Sequence, residues 1–356
     1  MYFTIEERIE VFRSYYNRKN NRPLLGFFLG SEYPLHRYRA AGKLPTNRPI
    51  VPEDVICRDY LTDYERLFTE YASVGGGFIW AASAFWGIPW LEAALGCEIW
   101  ADIKTGSVYS VPPDELDDDP DLIEFSLSNK WIKKLVEFLV AITKHSQARY
   151  PLATTRMRGI ADLLMALYGN EKFIYKMLEE PKKTGELCEK LTDFWVDFGK
   201  IQLEHIPEFH GGVGSFYYSI WAPKKSVWLQ EDAAAFLNPK LYEEFILPCD
   251  KRIADTFEGC FIHLHPTGFY PYRQLLDTSV TVLELHIDNG GPSAQTLYPV
   301  YRDILAKNPL LIWGKISQNE LDWVFKNLSP QGLAINVAVE GLKEAKTIWH
   351  RYFGSG

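Results

Sequence analysis

Strand-length apolar segments alternate with helical patterns along this chain, and that alternation most limits the folds open to it. The segments fall at 23–30, 77–82, 152–158, 212–219, 260–265, 281–287, 310–316 and 332–337. Between them, long amphipathic patterns fill 54–71, 129–145 and 181–206. Thr4-x-x-Glu7 and Ser317-x-x-Glu320 have the spacing of capping boxes. Asn238-Pro239 sets an N-cap before a first-turn proline and opens a helix that runs toward Arg252. Eight strands separated by helices predict the α/β class and a (β/α)8 TIM barrel. A doubly wound sheet is the alternative, but no G-x-G-x-x-G or P-loop supports a nucleotide fold. The sequence fits one such barrel over 1–356, with 1–22 as a helical extension packed outside it.

Composition narrows the function classes. Hydrophobic residues make up 47% and charged residues 24%, which excludes disorder and coiled coil. The net charge is −8 with no basic stripe, so no nucleic-acid partner is expected. Aromatic residues reach 15%, an excess that suits a pocket for a flat or apolar ligand. The five cysteines include no C-x-x-C pair and read as reduced thiols of a cytoplasmic protein. The first ten residues mix charge and hydrophobe, unlike a signal peptide. Residues 75–91 carry no charge but stop short of a spanning helix, so they read as a buried strand and loop, with no membrane partner. The acidic run 114–121 reads as a solvated loop before a helix, and the closing Gly-Ser-Gly as a loose end.

Chemistry in a barrel of this kind sits at the C-terminal ends of the strands. Side chains two apart on a strand share a face. Three strand ends carry polar pairs at that spacing: Arg156 with Arg158, His263 with His265, and Glu284 with His286. Together they would give one mouth two guanidiniums, three imidazoles and a carboxylate. His263 and His265 can reach a single metal ion, but two ligands do not complete a site. His286, Glu284 or Glu231 would have to finish it, and the bland alternative is a pair of hydrogen-bonding histidines. An imidazole is also a general acid or base near neutral pH. Arg156 and Arg158 make a fork for a carboxylate or phosphate, unless Asp162 pairs with one of them. Glu284 and His286 fit a buried salt-linked pair as well as a functional one. Phe216, Tyr217, Tyr218 and Trp221 crowd one strand end, and Trp313 and Lys315 another; such rings fill cores or wall pockets. Glu231 and Asp232 precede a helix start, where the helix dipole favours acids.

Several segments, in order and at matching spacing, resemble the uroporphyrinogen decarboxylase superfamily. They are Asp162-Leu-Leu-Met-Ala-Leu-Tyr-Gly169 with Glu180-Pro181, Glu231-Asp-Ala-Ala-Ala-Phe-Leu-Asn-Pro239 with Phe245-Ile-Leu-Pro248, Ile262-His-Leu-His-Pro-Thr-Gly268, and Ile312-Trp-Gly-Lys-Ile316. The resemblance spans about Gly75 to Val339. It implies a (β/α)8 barrel. The group holds haem-pathway decarboxylases and zinc methyltransferases that work with corrinoid proteins. The decarboxylases' arginine-rich segment has only the echo Arg39-Ala-Ala-Gly-Lys-Leu-Pro45. Their key aspartate is missing from Ala82-Ser83-Ala84, and their late histidine from Asn336-Val-Ala-Val-Glu340. Uroporphyrinogen decarboxylation is therefore not expected. In the methyltransferases a histidine and two cysteines hold zinc. His263 matches the histidine, His265 stands at the first cysteine, and the second falls near Val339 and is absent.

The resemblance implies a metal-assisted, methyltransferase-like enzyme on a small or flat anionic substrate. Zinc or another divalent metal would sit on His263 and His265, with Glu231 as a candidate third ligand. Catalytic candidates are His263, His265, Glu231 and His286. Substrate-binding candidates are Arg156, Arg158, Tyr217, Tyr218, Glu284 and Trp313. A small-molecule substrate, a corrinoid protein and a second copy of the chain are the candidate partners. Two other readings stay open: a metal-free decarboxylase or lyase using arginine and histidine, and a non-catalytic ligand-binding barrel.

Overall fold

A computed structural model describes residues 4–113 and 122–354. The acidic run 114–121 and the last two residues of the closing Gly-Ser-Gly lie outside the described residues. Helix α1 (Ile5–Tyr16) starts on the expected capping box, with the Thr4 hydroxyl accepting from the Glu7 N–H. It buries Ile9, Phe12 and Tyr15, and the Phe12 ring lies 5.8 Å from Phe78 and 6.5 Å from Trp221.

The strands follow in chain order: β1 (Leu24–Leu29), β2 (Glu98–Asp102), β3 (Ser107–Val111), β4 (Met157–Arg158), β5 (Gly212–Gly214), β6 (Trp221–Pro223), β7 (Ser226–Gln230), β8 (Gly259–Leu264), β9 (Val282–Ile287), β10 (Leu310–Gly314) and β11 (Leu333–Val339). Seven of them form a parallel sheet in the order β1-β11-β10-β9-β8-β7-β4. β1, β8, β10 and β11 are buried along their whole length, so their apolar runs need no polar alternation. Long helices pack alongside, among them Cys57–Val74, Lys130–Ser146 and Pro181–His205, close to the expected bounds.

Three expected strands differ, and the one at 152–158 is regular only at Met157–Arg158, with an isolated bridge at Leu152. Residues 77–82 are buried but hold only one ladder bridge, from Ala82 to Leu152. Their amides go elsewhere: Gly77 N–H donates to Leu25 O at 3.1 Å, and Ile79 N–H to Ser219 O at 3.0 Å. The segment thus lies between β1 and the chain leading into β4 without being a regular strand. The strand expected at 212–219 stops at Gly214 and turns back, so β5 pairs antiparallel with β6. Tyr217 and Ser219 have φ of 65° and 57°, in the left-handed region, which ends the extended run. The ladder place belongs to β7, beside β8. The β2–β3 hairpin was not expected either. The helix opened by Asn238 is interrupted by a π turn at Tyr242–Ile246 before it continues as Leu247–Thr256. Pro248, which has no N–H to donate, accounts for that break.

No described helix is long and apolar enough to cross a membrane. All five cysteines are buried and unpaired.

Candidate functional site

Parallel pairing puts the C-terminal ends of β4, β7, β8, β9 and β10 at one end of the sheet. In register, Gln230 faces His263, His263 faces Glu284, and His286 faces Trp313. All of these but Glu284 reach one cavity of about 250 Å³. Arg156, Tyr217, Tyr218, Gln230, His263, His265, His286 and Trp313 line it, joined by Glu32, Trp86 and Phe216.

The two histidines of β8 meet nitrogen to nitrogen. His263 Nε2 lies 2.9 Å from His265 Nε2. Each ring has a carboxylate behind it. His263 Nδ1 pairs with Glu284, which is fully buried, and the Tyr218 hydroxyl lies 3.0 Å from the same nitrogen. His265 Nδ1 lies 2.9 Å from both oxygens of Asp288. A carboxylate on Nδ1 fixes the ring's orientation and leaves Nε2 to bind. The third group is Asp232. Its Oδ1 lies 3.5 Å from His263 Nε2 and 3.7 Å from His265 Nε2. That oxygen is shut off from solvent and has no hydrogen-bond donor, while Oδ2 accepts from Gln230 Nε2 at 2.6 Å.

The electrostatics favour a positive charge here. Burial alone would lower the His263 imidazole, but the Glu284 carboxylate more than offsets it and holds it up at about 9. Burial pushes Glu284 upward, against the pull of His263. His286 is driven down to about 2 by burial, then by the two neighbouring imidazoles, so it stays neutral with its Nδ1 unpartnered. Three carboxylates thus surround three imidazoles, of which one cannot take a proton. Asp232, His263 and His265 each offer one ligand atom within 4.8 Å of the others, and so do His265, His286 and Asp288. In the second group Asp288 is already engaged with His265 Nδ1. The first is the better cation site, because its two Nε2 atoms face one another and the unpartnered Asp232 Oδ1.

Glu231 is not brought to the histidines. Its oxygens accept from the N–H groups of Ile160 at 2.7 Å and Ala161 at 3.2 Å, the first turn of helix Ile160–Tyr168. Gly159 permits this, since a side chain there would occupy the carboxylate's place. Asp162 returns the favour, accepting from Asp232 N–H and Ala233 N–H, both at 3.0 Å. Asp162 is therefore a cap, and Arg158 pairs instead with buried Glu92 at 3.3 Å. Arg156 has no such partner: its Nε and Nη2 are buried without an acceptor. Glu284 lies behind His263, one step removed from the cavity lining. Asp232, Asp288 and Glu92 were missed as site residues. Asp288 carried a signal, because it extends the alternation Glu284-x-His286 by two more residues.

No family model matches the chain, and no curated protein matches it. Among solved structures, a methyltransferase from Methanosarcina mazei is similar over 99% of this chain and 100% of that one, at 11% identity with a TM-score of 0.64. At that identity the likeness shows a shared fold.

Proposed function

We propose that this protein is a metal-dependent, methyltransferase-like enzyme, a divergent relative of the corrinoid-linked zinc methyltransferases. It would be one (β/α)8 barrel, with 77–82 as its irregular second stave. The carrying observation is the orphaned Asp232 Oδ1, aimed at two Nε2 atoms whose rings are held from behind by Glu284 and Asp288. Two imidazoles and a carboxylate suit Zn²⁺ or a similar divalent ion, with open positions for substrate. A divalent ion there supplies Lewis acidity, stabilising the anion of the heteroatom that gives up or accepts a methyl group. The chain's own groups do the rest. Glu284 and Asp288 fix the two rings, the aromatic wall excludes water, and Arg156 draws a small anion. The shared fold with a methyltransferase supports the reaction class, and a corrinoid protein is the partner that this reading implies. Elemental analysis of purified protein tests it. One divalent ion per chain is expected, falling below stoichiometry in His263→Ala and in His265→Ala. A metal-free wild type after incubation with Zn²⁺ refutes the reading.

One observation favours a second reading. The contacts from Asp288 through His265 and His263 to Glu284 also make a continuous proton path. A metal-free lyase could use it, and turnover in protein shown to lack metal would select that alternative.

A further inference from the structure

Arg156 is the only lysine or arginine among the residues lining the cavity, and among the described residues no acid pairs with it directly, although Glu92, Asp232 and Asp162 act on its charge from farther off. Neighbouring Arg158 is already neutralised by Glu92. No ion pair joins Arg156 to Glu32, the acid on the cavity lining, among the described residues. Burial lowers the Arg156 guanidinium to about 10, with Arg158 adding to the effect. It remains a cation at neutral pH, and a buried guanidinium with no acid paired to it is costly unless an anion arrives. A planar fork of N–H donors matches a carboxylate in two parallel bonds.

Apart from Glu32 and Gln230, the rest of the wall is aromatic rings and imidazoles. Trp86 stands edge-on to Tyr217, with ring centres 5.1 Å apart, and Tyr217 lies 4.9 Å from Trp313. Trp313 in turn lies 4.2 Å from the neutral His286 ring. Tyr217 is presented by a left-handed turn, at φ 65°, a conformation a tyrosine adopts only when its surroundings impose it. At about 250 Å³ the cavity is smaller than the roughly 300–1,000 Å³ of drug-sized sites. A single free cation, with the acid Glu32 also on the lining, argues against a dianion.

We infer that the cavity takes a small aromatic monocarboxylate, its carboxylate on Arg156 and its ring among Trp86, Tyr217 and Trp313. Its reacting substituent then points toward His263 and His265, and that last clause alone rests on the metal reading above.

The test is calorimetric binding of benzoate, benzamide, cyclohexanecarboxylate and inorganic phosphate to the full-length protein as purified, with metal content measured on the same samples. Benzoate is expected to bind, and benzamide, its neutral isostere, at least about 10-fold more weakly. Cyclohexanecarboxylate should bind about 2- to 10-fold more weakly than benzoate, having lost the ring–ring contacts. Arg156→Gln should weaken benzoate about 10- to 100-fold without lowering the melting temperature, and Arg156→Lys should recover part of the loss. Equal binding of benzoate and benzamide overturns the inference, as do phosphate outcompeting benzoate and an Arg156→Gln protein that binds benzoate as wild type does. The two readings fail separately. Metal-free protein that binds benzoate defeats the metal site and leaves this inference standing; metal-loaded protein indifferent to benzoate does the reverse.

Discussion

Asp288 touches His265 rather than the cation position, yet it decides which nitrogen of that ring faces Asp232. With both oxygens 2.9 Å from Nδ1, it holds the proton there and turns Nε2 inward. Asp288→Asn keeps the size but loses the carboxylate oxygens that hold the ring from behind. Loss of such an outer carboxylate typically costs about 10- to 100-fold in metal affinity, and that is the drop expected in competition with a chromophoric chelator. Unchanged affinity would mean that His265 is oriented by something else. At this scale period-two alternation brought His263 and His265 together on the cavity, but of the other two pairs only Arg156 and His286 line it. The choice between Glu231 and Asp232 was not legible in the sequence. The two sit just past the end of β7, where alternation stops, and hydrogen bonding to the turn at Ile160 decides which one points inward.

Elements carry the next layer. Helix Ile160–Tyr168 and the turn after β7 are locked by an exchange of caps between Glu231 and Asp162, so the acids that look catalytic in sequence are partly structural. Behind Glu231 sits Asp250, on helix Leu247–Thr256, fully buried and accepting from the Tyr242 hydroxyl at 2.6 Å. Its Oδ1 has no donor, which a carboxyl proton shared with Glu231 would satisfy. Burial pushes Asp250 up to about 7, although Tyr242 and Glu231 pull it back. The native state therefore holds a proton that the unfolded chain releases near pH 4. Stability from this group is complete below about pH 4 and is lost as pH rises toward about 7, by at most about 1.4 kcal/mol per pH unit. Asp250→Asn mimics the protonated form, so its denaturation midpoint should fall less between pH 5 and about 7 than that of the wild type. Parallel slopes in urea titrations across that range would count against the shared proton. The misplaced strand at 212–219 belongs to this scale too. Its apolar run is genuine, but the run packs as a strained turn over Trp228, with Tyr218 stacked 4.0 Å above that ring. Hydrophobicity alone does not separate the two outcomes.

At the scale of the whole molecule, the alternation of apolar runs and helices was enough to read the parallel sheet and the end of it where the polar side chains gather. It could not show that 77–82 stays irregular, since its amides are claimed by Leu25 and Ser219 rather than by one neighbouring strand. Nor could it show that only one of two adjacent arginines is left free, because Glu92 reaches Arg158 from a helix 66 positions earlier in the sequence. The proposed cation site is a property of the assembled molecule, drawing Asp232 from just past β7, its two histidines from the end of β8 and their supports from β9 and the residue after it. X-ray absorption at the metal edge of the zinc-replete protein tests that claim most directly. The account predicts nitrogen and oxygen neighbours at about 2.0–2.2 Å, imidazole scattering beyond them, and no sulfur. A sulfur shell at about 2.3 Å, or a spectrum unchanged when His263 and His265 are both replaced by alanine, would contradict it.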